Sequence, residues 1–258
     1  MWFIGGLLKH SAALTAQTLK DYAARYETPG FLGGDPSWFM HQVAGIANKE
    51  TTAFIASALS YGSRKQFMPK IQHLLDLSQG DMHTWVATGE YRSLFALDDS
   101  RAFYRLYSMQ TMRLFLDALH SLIDKHGTLG AFLRQSPCRD ALTAIGMLCD
   151  WFATHGPTNV IPRDTTSACK RLCMFMRWMV RTPSPVDLGL WSDFIDKQSL
   201  VMPLDTHVLT EACNLGLIES RTASMATARR LTQCLATVFP DDPLKGDFAL
   251  FGYAVSGQ

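Results

Sequence analysis

The chain has 258 residues, with 24 basic and 23 acidic side chains and 47% apolar residues. At about 100–200 residues per domain, this is one large domain or two closely packed ones, able to bury a core without staples or metals. A net charge of +1 excludes global attraction to nucleic acid or an anionic membrane, and 47% apolar residues exclude a disordered chain.

The opening segment, Met1 to His10, is apolar but short and lacks a basic leader, so it reads as a helix packing onto the domain. No apolar run approaches the ~18–20 residues needed to cross a bilayer. Leu14 to Tyr26 is amphipathic, with Leu14, Thr18, Leu19, Tyr22 and Tyr26 on one stripe. Short helices are expected over Phe39–Ala47 and Met82–Gly89, and longer ones over Lys49–Tyr61 and Lys65–Leu77. Tyr104–Lys125 is a long amphipathic helix closed by Gly127; Leu129–Leu133 and Asp140–Thr154 follow. Thr165–Val180 is stopped by Pro183 and Pro185, and the series ends with Leu190–Ile195, His207–Leu215, Ser224–Val238 and Asp247–Val255.

Strand signals are nearly absent, and no period repeats. The expected architecture is all-α and not a simple bundle: one compact helical unit over 1–258. Residues 65–182 would form a central helical layer, flanked by 1–64 and 183–258. The six cysteines sit in apolar stretches without a CxxC pair, which predicts buried free thiols in a reducing cytoplasm and no zinc or iron–sulfur site.

Charge is concentrated in one place. From Arg163 to Arg181 there are five basic residues and one acid, so this segment carries +4 and leaves −3 for the rest. Lys170, Arg177 and Arg181 share one helix face, a pattern that fits either a phosphate footprint or an ordinary solvated face. Thr165, Thr166 and Ser167 are capping residues, which places Lys170 near the start of its helix. A helix N-terminus disfavours a cation, and a lysine held there is biased toward the amine that attacks electrophilic carbon. Snorkelling to water is the plain alternative. Farther on, Val201-Met-Pro-Leu-Asp205-Thr-His207 places Asp205 as an N-cap, by itself a stability device.

In combination the two segments resemble a known superfamily. Ile161-Pro-Arg-Asp-Thr-Thr-Ser-Ala-Cys-Lys170 resembles the hairpin of the helix-hairpin-helix DNA glycosylases, whose second hairpin helix opens with the catalytic lysine. Pro203-Leu-Asp205-Thr-His207-Val resembles the segment that carries their essential aspartate. The wider wording, through Asp242-Pro-Leu-Lys-Gly-Asp-Phe-Ala-Leu-Phe251, is similar to a bacterial family of unknown function related to archaeal 8-oxoguanine DNA glycosylases. The likeness runs from about Asp35 to Phe251. Three features depart from it. Arg163-Asp-Thr-Thr166 replaces the glycine-rich hairpin turn, no iron–sulfur cysteines occur, and Gly62 stands where the archaeal enzymes carry a base-reading glutamine.

The resemblance implies a two-lobed helical fold with an active-site cleft between the lobes. It implies a base-excision glycosylase with AP-lyase activity, acting as a cytoplasmic monomer without cofactor or metal on double-stranded DNA containing a damaged base. Lys170 would attack C1′, assisted by Asp205. Ser167, Arg171, Arg177, Arg181 and His207 would contact DNA phosphates. Trp38, His41, Tyr61, Gly62, Asp187 and Trp191 would line the base pocket, with an oxidised purine, 8-oxoguanine, as the expected target. The competing reading is a DNA- or RNA-binding helical module that keeps the fold without the chemistry, and a helical protein–protein scaffold is the third.

Overall fold

The structure, a computed structural model, describes residues 15–256. The helix expected over Met1–His10 lies outside them. The described residues fold into twelve α-helices with one two-stranded hairpin, so the fold is all-α. In chain order these are α1 (15–26), α2 (Trp38–His41), α3 (Ile46–Leu59), α4 (Arg64–Leu77) and α5 (Met82–Ala87). Strands β1 (Ala102–Tyr104) and β2 (Tyr107–Ser108) precede α6 (Met109–His126), α7 (Leu129–Arg134), α8 (Ala141–His155) and α9 (Lys170–Val180). The last three are α10 (Thr206–Asn214), α11 (Met225–Ala236) and α12 (Lys245–Ser256). None of the described helices is long and apolar enough to cross a membrane.

Two helices organise the interior. Eleven of the fourteen α3 residues are buried, as are nine of the eleven in α9, and the two pack on each other. A helix that is apolar or small on all sides belongs inside a core. Helices α2, α4, α5 and α7 surround α3, while α8 adds to α9. Buried apolar side chains form one continuous cluster from Leu19 to Leu250. At the chain's two ends, Tyr22 of α1 meets Tyr253 of α12 edge-on at 5.7 Å between ring centroids.

Helix starts follow capping chemistry. Asp81, Ser108, Thr128, Asp140, Asp205 and Ser224 each accept the backbone N–H three residues on. Each such cap stabilises by about 1 kcal/mol.

Several expectations need correction. Tyr104–Tyr107 is the turn of a hairpin, not the beginning of α6; the turn holds Arg105-Leu106 where glycine or asparagine would have signalled it. Residues 190–195 form turns, and Phe39–Ala47 is split by Gln42–Gly45. The helix expected from Thr165 begins only at Lys170, because Asp164 Oδ1 accepts the Thr166 N–H (2.9 Å) and holds that stretch as a turn.

Candidate active site

The segment before α9 determines where Lys170 points. Ser167 forms an isolated bridge with Ser224, pinning the loop to the start of α11. Cys169 then adopts a left-handed conformation (φ 44°) and occupies the cap position without a side-chain cap bond. Non-glycine residues rarely adopt this conformation, and it is concentrated at functional sites. Lys170 is therefore the first helical residue, followed by a buried run that fixes the helix in the core.

Asp205 opens α10 in the extended conformation that an N-cap requires. Its Oδ1 accepts the Val208 N–H at 2.9 Å, while its Oδ2 lies 3.4 Å from Lys170 Nζ. Both side chains are about one-third exposed (35% and 34%), so the pair is reachable from outside. Two residues 35 positions apart thus meet where two helices begin.

Lys170 and Asp205 stand on the wall shared by two adjoining cavities, each about 470 Å³. Small-molecule sites occupy ~300–1,000 Å³. The first is largely apolar, lined by Phe31, Phe67, Met174 and Phe251, with Asp247 and Arg177 deep in it. Phe31 and Phe251 meet edge-on at 5.0 Å, and Arg64 lies over the Phe251 ring at 5.2 Å. The second is bordered by Tyr61, Ser167, Cys169, Arg171 and Thr206. Gly62 and His207 touch both.

Of the residues expected to contact phosphate, Ser167 and His207 are exposed at this edge. Arg171 is half-buried and already engaged: its guanidinium donates to the Ala58 carbonyl and to Tyr107 Oη (2.7 Å). Arg177 and Arg181 require outright correction. They are 3% and 0% exposed, and neither can reach a DNA backbone. Arg181 donates to Asp242 (2.9 Å), Asp187 (2.9 Å) and Glu27 (2.5 Å), and Arg177 pairs with Asp187 (3.2 Å) and Asp247. Lys170, at the start of the stripe, keeps its access to solvent, but Arg177 and Arg181 turn inward onto the nearby Asp187 and onto Glu27, Asp242 and Asp247 from distant segments.

The expected base pocket is likewise revised. Asp187 is spent on the two arginines, and Trp191 is 1% exposed, donating to Glu50 Oε1 at 2.8 Å. Trp38 packs edge-on against Phe39, and His41 Nε2 bonds the Val186 carbonyl at 2.8 Å; neither lines either of these two cavities. Of that set, Tyr61 and Gly62 lie at the site.

Sequence reasoning missed Phe31, Phe251 and Asp247. Asp247 and Phe251 lie within the family-like stretch from Asp242 to Phe251, but a carboxylate in the first turn of α12 ordinarily just complements the helix dipole. Burial pushes the Asp247 carboxyl up from the usual range despite the opposing Arg177, and the neighbouring Asp205 adds to the shift. Next to Lys170, the Cys169 thiol is drawn below its ordinary range, chiefly by the adjoining Cys149 thiol, which is itself pushed up.

No curated protein and no solved structure matches the chain. A family model described as "Protein of unknown function (DUF2400)" matches residues 35–256, a span that includes Lys170, Asp205, Asp247 and both cavities' central walls. The chain belongs to that family.

Proposed function

We propose that this protein is a DNA base-excision glycosylase with AP-lyase activity, of the helix-hairpin-helix kind. The observation that carries the reading is the Lys170–Asp205 contact, 3.4 Å across two helix starts on the wall of an apolar cavity. A nucleophile within reach of its proton acceptor, beside a pocket for the leaving group, is the minimum for this chemistry.

A damaged nucleotide would rotate out of the duplex into the first cavity, at a cost of a few kcal/mol of unstacking. Lys170 Nζ attacks C1′ as the bond from C1′ to the base breaks, and the base leaves with the bonding pair. Asp205 Oδ2 takes the proton the amine loses. Opening of the sugar ring then gives a protonated Schiff base, from which strand cleavage proceeds by elimination. Phe31, Phe67 and Phe251 offer apolar faces to the extruded base, and Asp247 Oδ1, the oxygen that Arg177 does not hold, offers an acceptor for an N–H on its edge. An oxidised guanine has one more N–H on its five-membered ring than guanine has. Leaving a buried acceptor unpaired costs on the order of 1–3 kcal/mol, enough to favour 8-oxoguanine over guanine.

Borohydride reduction tests the reading. A duplex with a single 8-oxoguanine should give a covalent adduct with the native chain and none with Lys170→Gln. Absence of both adduct and base release across a panel of single-lesion duplexes would overturn it, in favour of a module that binds nucleic acid without chemistry.

A further inference from the structure

The β1–β2 hairpin is the one strand pair among the described residues, and it is fastened to the rim of the site. Its two tyrosines are buried, Tyr104 at 4% and Tyr107 at 3% exposure. Tyr104 Oη donates to the Tyr61 carbonyl, and Tyr107 Oη accepts from Arg171, the residue after Lys170, at 2.7 Å. Between them the turn carries Arg105 and Leu106. Arg105 is left-handed (φ 50°), its guanidinium lies 4.7 Å over the Tyr61 ring, and it abuts Gly62, which borders both cavities. Leu106 is 77% exposed, ahead of Ile46 at 65%. A tight turn of this kind ordinarily holds glycine, asparagine or aspartate. Here it holds an arginine under backbone strain and a leucine extended into solvent.

We propose that Leu106 is a wedge that enters the base stack of duplex DNA as a nucleotide rotates into the cavity, with Arg105 meeting the adjoining phosphate. The proposal rests on the DNA-glycosylase reading. Extruding a base leaves a gap in the stack, and apolar side chains inserted between base steps are an established means of holding such a gap open. Two features fit this occupant better than a protein partner. The apolar contact is one side chain on a two-residue turn, too small for a protein interface yet matched to one base step. Its flanks are cationic: Arg105 adjoins it, and Lys70 Nζ lies 5.1 Å over the Phe103 ring of β1. Because both tyrosines are locked, the tip holds its place against the cavity mouth.

The test uses the full chain with Lys170→Gln, so that no base is released, and a duplex carrying 2-aminopurine at the target position. Binding should raise 2-aminopurine fluorescence as the base unstacks. Adding Leu106→Ala should lower the extruded fraction about tenfold, since it removes the side chain that holds the gap in the stack open. Leu106→Phe should restore it, and affinity for single-stranded DNA should be unchanged. Equal fluorescence with and without Leu106, or no rise at all on the duplex, overturns the wedge. Borohydride trapping by the native chain reports the chemistry separately. Trapping that is indifferent to Leu106→Ala leaves the glycosylase reading standing and removes the wedge. Leu106-dependent unstacking without any trapping does the reverse.

Discussion

The carboxylate of Asp205 divides its two oxygens between two tasks: Oδ1 caps α10 through the Val208 amide at 2.9 Å, and Oδ2 faces Lys170 Nζ at 3.4 Å. The cap fixes the side-chain rotamer, so the second oxygen is aimed before any substrate arrives. Preorganisation of this kind lets a small group act without first paying to be ordered.

That division separates two substitutions. Asparagine is as good an N-cap as aspartate, whereas alanine loses about 1 kcal/mol at such a position. Asp205→Asn should keep the native melting temperature while lowering single-turnover base release by ~10²–10⁴-fold, the range for a lost acid–base group. Asp205→Ala should lose both. Calorimetry beside a lesion-release assay checks the pair; an Asp205→Asn variant with native turnover would reduce the carboxylate to a cap.

Arg181 should behave as a structural residue. Its guanidinium is fully buried and serves Asp187, Asp242 and Glu27, so Arg181→Met strands Asp242 and Glu27 and leaves Asp187 to Arg177 alone. Breaking a buried ion pair by removing one partner costs about 3–5 kcal/mol. Urea denaturation should show that loss, with an unchanged salt slope for DNA binding by whatever remains folded. Arg105→Ala, on an exposed side chain, should do the opposite: native stability, and a salt slope shallower by about one unit. A reversal of these two outcomes would restore the stripe as a phosphate contact.

Stability should also fall on the acid side through Asp117. Burial alone would raise this carboxyl, but it is outweighed by hydrogen bonds from Tyr91 (2.5 Å), Arg113 (2.8 Å) and Arg92 (3.1 Å), which leave it below its ordinary value. A depressed acid binds fewer protons folded than unfolded. Its contribution is present above the unfolded value of about 3.9 and is lost as pH falls through the folded one. Asp117→Asn should therefore lower stability at neutral pH and flatten its decline below about pH 4. An unchanged acid limb in a pH series of thermal melts would show that the cluster contributes nothing.

The helices were legible in the sequence where capping chemistry is local: Asp140 and Ser224 stand one residue ahead of α8 and α11. The meeting of Lys170 with Asp205 was legible from motif resemblance alone, since no periodicity connects residues 35 apart. Helical spacing puts Arg177 and Arg181 on one face, but which medium that face meets depends on Glu27, Asp242 and Asp247, all distant in sequence. Periodicity reports direction, and only the fold supplies the counter-charges. The hairpin escaped notice because its identity lies in side-chain anchors, Tyr104 to Tyr61 and Tyr107 to Arg171, rather than in turn residues.

Glu27 lies upstream of the span that the family shares, yet its carboxylate meets Arg181 at 2.5 Å in the interior. Helix α1, which ends just before Glu27, lays Tyr22 on Tyr253 and Tyr26 on Phe251, one of the rings lining the first cavity. A fragment trimmed to residues 35–256 would shed one of the carboxylates around that guanidinium and uncover the outer face of α12. Shortened versions made for crystallisation or binding work must therefore begin ahead of α1. Variation among relatives at Glu27 should track variation at residue 181, so the two positions should be compared as one unit.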